Sequence, residues 1–127
     1  MKSFKQHILE KLKVTKGNTV ESTLFPKTRE ELKQMINDEI SKNGYECSLN
    51  HIDVNRITDM TDLFFRSKFN GDISNWDVSN VKTMKDMFLA SKFNGDISNW
   101  DISNVKDMSY MFYGSSLENN PPKWYKE

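Results

Sequence analysis

Residues 67–90 and 91–114 carry one 24-residue sentence twice, SKFNGDISNWDVSNVKTMKDMFLA and then SKFNGDISNWDISNVKDMSYMFYG, identical at 18 of 24 positions. A fixed period of this length restricts a chain to architectures in which neighbouring copies share one continuous core. The three tryptophans, Trp76, Trp100 and Trp124, stand 24 residues apart, so the register runs on into the C-terminal tail.

The same interval, counted toward the N-terminus, uncovers a degraded copy at residues 45–66, aligned without a gap. Tyr45, Phe69, Phe93 and Leu117 share a column, as do Leu49, Ile73 and Ile97, and Ile52 with the three tryptophans. Val54, Val78 and Ile102 form the next, then Ile57, Val81 and Val105, then Met60, Met84 and Met108. Leu63, Met87 and Met111 precede the last column, Phe64, Phe88 and Phe112. Identity drifts within a column while apolar character persists, which is the freedom a shared core position allows. All eight columns are therefore expected inside.

The chain of 127 residues fits one compact unit or one short array with its caps. We divide it into N-terminal helices and a cap, residues 1–44, and the repeated region with its C-terminal cap, residues 45–127. Eighteen basic and eighteen acidic residues leave no global field to draw in nucleic acid or an acidic membrane. A mean hydropathy of -0.73 is low for a globular core but suits a narrow buried stripe with a polar exterior. The single cysteine, Cys47, excludes an internal disulfide framework. No stretch approaches the roughly 20 apolar residues of a membrane span, and the first residues lack the apolar run of a secretory signal. The expected location is accordingly cytoplasmic.

Ser3 can cap a first helix to about Lys13 with Phe4, Ile8, Leu9 and Leu12 on one face. A polar stretch comes after it, and Leu24 and Phe25 before Pro26 read as a short strand or anchor. The second helix is better defined. Thr28 with Glu31 forms a capping box, Asn43-Gly44 supplies the stop, and Leu32, Met35, Ile36 and Ile40 make an apolar face that must be covered by the first copy.

Within each copy the alternation around the tryptophan predicts short strands at residues 51–54, 75–78 and 99–102. Asp59, Thr83 and Asp107 are N-cap types preceding M-x-x-(M/L)-F, which predicts about two turns of helix. Asn70-Gly71 and Asn94-Gly95 are expected to make the corner through positive φ. Pro121 and Pro122 end the array, and Trp124 keeps its column in a second cap.

The run F-N-G-D-I-S-N-W-D-V-S-N-V-x-x-M-x-x-M-F resembles the BspA-like repeat, a leucine-rich-repeat relative found in bacterial surface proteins and Mycoplasma lipoproteins, and the likeness covers residues 45–124. Residues 25–33, FPKTREELK, look like the helical lead-in to such arrays. The resemblance implies an α/β repeat, a short right-handed leucine-rich-repeat-like solenoid with a small parallel sheet and an N-terminal helical cap, serving protein binding or adhesion. Separately, MKSFKQHILE is similar to N-terminal segments of internal head proteins of T-even-like phages, which implies a packaged or structural phage component with an N-terminal targeting helix.

Asp53, Asp77 and Asp101 occupy one column between core residues and should stack on an exposed face. Carboxylates about 4.8 Å apart repel, so either a cation or basic partner offsets them or neighbouring Asn, Ser and backbone N–H groups do. The flanking Asn75, Ser79, Asn99 and Ser103 favour the second reading, and a linear ladder does not gather the six or more oxygens calcium needs. Cys47 and His51 are the one candidate nucleophile and base, with no third residue visible to orient the histidine, and a structural role is the preferred reading. No phosphate-binding glycine loop, zinc spacing or paired acid and base is present.

The expectation is thus a non-enzymatic protein–protein interaction module with no cofactor and no metal, monomeric alone or part of a larger assembly. Its protein partner would meet His51, Asp53, Asn55, Asn75, Asp77, Ser79, Asn99, Asp101 and Ser103, with no nucleic-acid partner. A packaged phage component and a surface adhesin fragment are the other readings.

Overall fold

The computed structural model describes residues 21–126. The helix expected from Ser3 lies outside these residues. The described chain holds a single α-helix, α1, Arg29–Asn43. Its start is set by Thr28, whose Oγ1 accepts the Glu31 N–H at 3.1 Å, while Glu31 Oε2 reaches back to the Lys27 N–H at 3.2 Å. Gly44 ends it at φ 89, its N–H donating to the Ile40 carbonyl. Leu32 and Ile36 are fully buried, and Met35 and Ile40 pack beside them against the same core that the copies build.

No strand and no sheet forms among the described residues, and this overturns the expected α/β solenoid with a parallel sheet. Pairing is confined to isolated parallel bridges, Leu24 with Ile52, Ser48 with Asp72, Asp59 with Thr83, and Thr83 with Asp107. The expected strands at 51–54, 75–78 and 99–102 fail for a local reason. In each copy an aspartate accepts the backbone N–H two residues on: Asp53 from Asn55, Asp72 from Ser74, Asp77 from Ser79, Asp96 from Ser98 and Asp101 from Ser103, at 2.9–3.1 Å. Those bonds turn the chain at the ends of the expected strands, and inside them the Ile52, Trp76 and Trp100 N–H groups donate to carbonyls three residues back instead of to a neighbouring strand.

The expected short helices are replaced as well. Asp59, Thr83 and Asp107 do accept a nearby N–H, from Thr61, Lys85 and Ser109, but residues 61–66, 85–90 and 109–114 form a series of turns. Left-handed residues at Asp62 and Arg66, Asp86 and Ala90, and Tyr110 and Gly114 interrupt each run, and a helix cannot pass through them. In the first run the N–H groups of Leu63, Phe65 and Ser67 donate to carbonyls three residues back. Those of Met60, Asp62, Phe64 and Arg66 instead donate to Thr83, Lys85, Met87 and Leu89 of the next copy at 2.8–3.0 Å. Met84, Asp86, Phe88 and Ala90 repeat this onto Asp107, Ser109, Met111 and Tyr113 at 2.8–2.9 Å. Backbone donors thus alternate between holding their own turn and holding the neighbour.

Inside, the columns stack ring on ring. Phe64, Phe88 and Phe112 lie 5.4 and 5.7 Å apart between centroids, Phe69 lies 6.1 Å from Phe93, and the tryptophans are spaced at 6.4 Å. Each such pair adds about 0.5–1.5 kcal/mol beyond burial. The indole N–H groups of Trp76, Trp100 and Trp124 donate to the carbonyls of Leu49, Ile73 and Ile97 at 2.9, 3.2 and 2.8 Å. One bond type, repeated at the period, satisfies each indole N–H, with Trp76 and Trp100 buried and Trp124 partly covered. The columns hold inside, and each exception is the first or last member of its column. Tyr45 is half exposed at 49%, and Ile102, Val105, Met108 and Trp124 are only partly covered.

Gly71 and Gly95 do not adopt positive φ. Their reason is space. A Cβ on Gly71 would stand 1.7 Å from the Cys47 carbonyl oxygen of the preceding copy, and one on Gly95 would stand 2.7 Å from the Phe93 ring.

Candidate functional site: the outward polar row

The sequence-predicted residues divide into two groups. Asn55, Asn75, Asp77, Asn99, Asp101 and Ser103 are exposed, with Asp53 and Ser79 half-buried beside them. Their turns fix them: Ser79 Oγ donates to Asp77 Oδ1 at 2.6 Å in addition to the backbone bond, and Asn55 Nδ2 donates across the copies to Asp77 Oδ2 at 2.8 Å. These bonds hold the Asp77 carboxyl below its usual range, the Ser79 hydroxyl first. The Ser103 hydroxyl does the same for Asp101. Asparagine extends the lattice, with Asn80 and Asn104 Nδ2 donating to the Asn55 and Ser79 carbonyls. The repulsion expected in the column is thus offset by hydroxyls, amides and backbone N–H groups.

His51 belongs to a different environment. Its Nε2 is paired with Glu39 Oε1 of α1, which leaves it half-buried and turned toward the helix. Cys47 Sγ lies 4.0 Å from the Glu39 carbonyl, so one residue of α1 touches both the cysteine and the histidine. Glu39 is the orienting residue that sequence reasoning missed, because it lies outside the repeated register. Burial, then the Glu39 charge, pushes the Cys47 thiol up, which disfavours the thiolate.

Sequence reasoning also passed over a second row, Asp72 and Asp96, built by the same D-x-S signal. Ser74 and Ser98 hydroxyls donate to them at 2.6 Å and lower both carboxyls. The signal was readable, since D-I-S stands in both clear copies. No group of three or more His, Cys, Asp or Glu side chains able to hold a metal occurs among the described residues, and no described helix is long and apolar enough to cross a membrane.

No curated protein and no solved structure matches the chain. The family model described as Mycoplasma protein of unknown function, DUF285, matches residues 30–126, from the first turn of α1 to the C-terminal cap, and the chain belongs to that family.

Proposed function

We propose that this protein is a non-enzymatic protein–protein interaction module that grips its partner along the row Asp53, Asn55, Asn75, Asp77, Ser79, Asn99, Asp101 and Ser103. The supporting observation is preorganisation: the aspartates are locked by bonds to the residue two places on, so a partner's donors meet fixed acceptors at little ordering cost. The chemistry of the row favours a polypeptide rich in amide and basic donors. The likeness of FNGDISNW to BspA-like repeats, whose members serve binding or adhesion, supports the same reading. Cys47 is a poor nucleophile with its thiol held protonated, which weighs against a cysteine-dependent reaction at His51 and Glu39.

The test is affinity capture from native host lysate by the Asp77→Ala, Asp101→Ala double variant, with Asp72→Ala, Asp96→Ala as its control. Both lose equivalent turn bonds. Capture should drop for the first and persist for the second, while circular dichroism stays native for both. Equal capture by all three proteins would move the site off this row.

A further inference from the structure

The copies bind one another through one repeated interface, and among the described residues the third copy's far side of that interface is uncovered. In the first two copies the N–H groups of the M-x-x-(M/L)-F run donate to carbonyls of the copy beyond: Met60, Asp62 and Phe64 to Thr83, Lys85 and Met87, and Met84, Asp86 and Phe88 to Asp107, Ser109 and Met111. Their counterparts in the last copy are Met108, Tyr110 and Phe112. Among the described residues these three N–H groups meet no acceptor. Only the fourth counterpart, Gly114, is closed off, by Glu118 Oε2 at 3.0 Å.

A cavity of about 620 Å³ lies along this row, lined among others by Met108, Tyr110, Phe112, Tyr113 and Tyr125. Tyr110 and Tyr113 are the most exposed large apolar side chains described, at 63% and 62%, and they meet edge to face at 6.1 Å. Donors without acceptors beside uncovered aromatic surface are the two components of peptide addition to an open edge.

We infer that this C-terminal edge is a docking groove for a peptide segment of a partner protein that takes the path of the next copy. Such a segment presents carbonyls at alternate residues to Met108, Tyr110 and Phe112, and its side chains at the places of Asp86 and Leu89 meet the exposed rings of Tyr110 and Tyr113. The occupant is specified by continuity with the interface inside the stack, where residues 83–88 play this part on the first copy. A second molecule of this chain does not fit. Its matching acceptors, the Thr61 and Leu63 carbonyls, are already taken by Arg29 and Lys33, and two C-terminal edges would set donor against donor. The groove is separate from the outward polar row and holds whether or not that row binds.

The probe is a blocked synthetic peptide of sequence VKTMKDMFLA, residues 81–90 of this chain, titrated into the 127-residue chain with a scrambled peptide as control. In the free protein, hydrogen exchange at Met108, Tyr110 and Phe112 should be fast and that at Met84, Asp86 and Phe88 slow. Adding the peptide should slow exchange at those three amides, with a dissociation constant below about 1 mM. Tyr113→Ala, an exposed change that leaves the thermal midpoint in place, should weaken binding about tenfold. Three results overturn the proposal: protection of the three amides in the free protein, protection elsewhere or none with the peptide, or concentration-dependent self-association that buries them.

Discussion

At the N-terminal end of the stack, Arg29 and Lys33 reach from α1 to the carbonyls of Thr61 and Leu63, whereas at the C-terminal end, of the outward N–H row Met108, Tyr110, Phe112 and Gly114, only Gly114 meets an acceptor among the described residues, Glu118. The two carbonyls are the ones that, one copy later, receive the Asp62 and Phe64 N–H groups as Lys85 and Met87. The helix therefore supplies side-chain donors where a preceding copy would supply backbone donors. Long cations suit this task, because their stems cover apolar surface while their heads reach a carbonyl. Burial, then the nearby Arg29 charge, lowers the pKa of Lys33, the electrostatic cost of that placement. At the other end Trp124 and Tyr125 cover Phe112 from the side, with Tyr125 edge-on at 4.8 Å, but leave its backbone row uncovered. The open row of acceptors is closed by side chains; the open row of donors is uncovered among the described residues.

The largest effect that probes this contrast is steric. Gly71→Ala drives a Cβ into the Cys47 carbonyl of the capped first copy and should cost about 3 kcal/mol, while Gly95→Ala, where the near neighbour is the edge of the Phe93 ring, should cost about 1 kcal/mol. Chemical denaturation of the two variants measures the difference, and equal losses would mean that the junctions between copies are alike.

Removing the side-chain donors comes next. Arg29→Met with Lys33→Met leaves two carbonyls of the first copy unpaired and should lower stability by about 2 kcal/mol. Faster hydrogen exchange should then appear in the first copy but not at residues 108–114. A uniform loss of protection would show one cooperative unit without a distinct N-terminal cap.

Smaller still is a reciprocal exchange at one backbone position. Ala90 and Gly114 occupy the same place in successive copies, with φ of 55 and 69. Ala90→Gly should stabilise and Gly114→Ala destabilise by about 1 kcal/mol each, since the Cβ at 114 finds only ordinary contacts at 3.7–3.9 Å and the cost is conformational. Thermal unfolding of both variants decides it, and shifts of the same sign would sink the assignment.

The mildest test is acid. Asp72, Asp77, Asp96, Asp101 and Asp107 are all held below their usual 3.8, chiefly by a serine hydroxyl. With the folded value below the unfolded one, the unfolded chain takes up protons first. This stabilisation is fully present above 3.8 and is lost as pH falls through the lowered values. Replacing Ser74, Ser79, Ser98 and Ser103 with alanine should flatten the fall of the denaturation midpoint between about pH 5 and about pH 2.

The apolar columns were legible because a core position shared by stacked copies tolerates only apolar residues, and Phe64, Phe88 and Phe112 show it at 0–2% exposure. Tyr45 was misplaced because its column has no copy before it to close over the ring, and its neighbours in sequence are exposed. The bounds of α1 were legible from Thr28, Glu31 and Gly44, whose signals act within one turn. The M-x-x-M-F runs were not. Apolar residues at first, fourth and fifth positions face one way in a helix and also in a train of turns, and periodicity does not separate the two. Of the outward polar row, exposure and mutual support were readable from D-x-S and D-x-N, while the turning of His51 toward Glu39 was not, since the two are joined only by the docking of α1.

The amino-acid order by itself determined the period, the identity of the core columns and the limits of α1, all consequences of local chemistry or of recurrence along the chain. The tertiary structure decided the backbone of each copy, and with it the open edge at Met108, Tyr110 and Phe112. In the earlier copies alternate N–H groups bond to carbonyls 23 residues away, as Met60 does to Thr83, and a bond of that range exists only once the copies lie on one another.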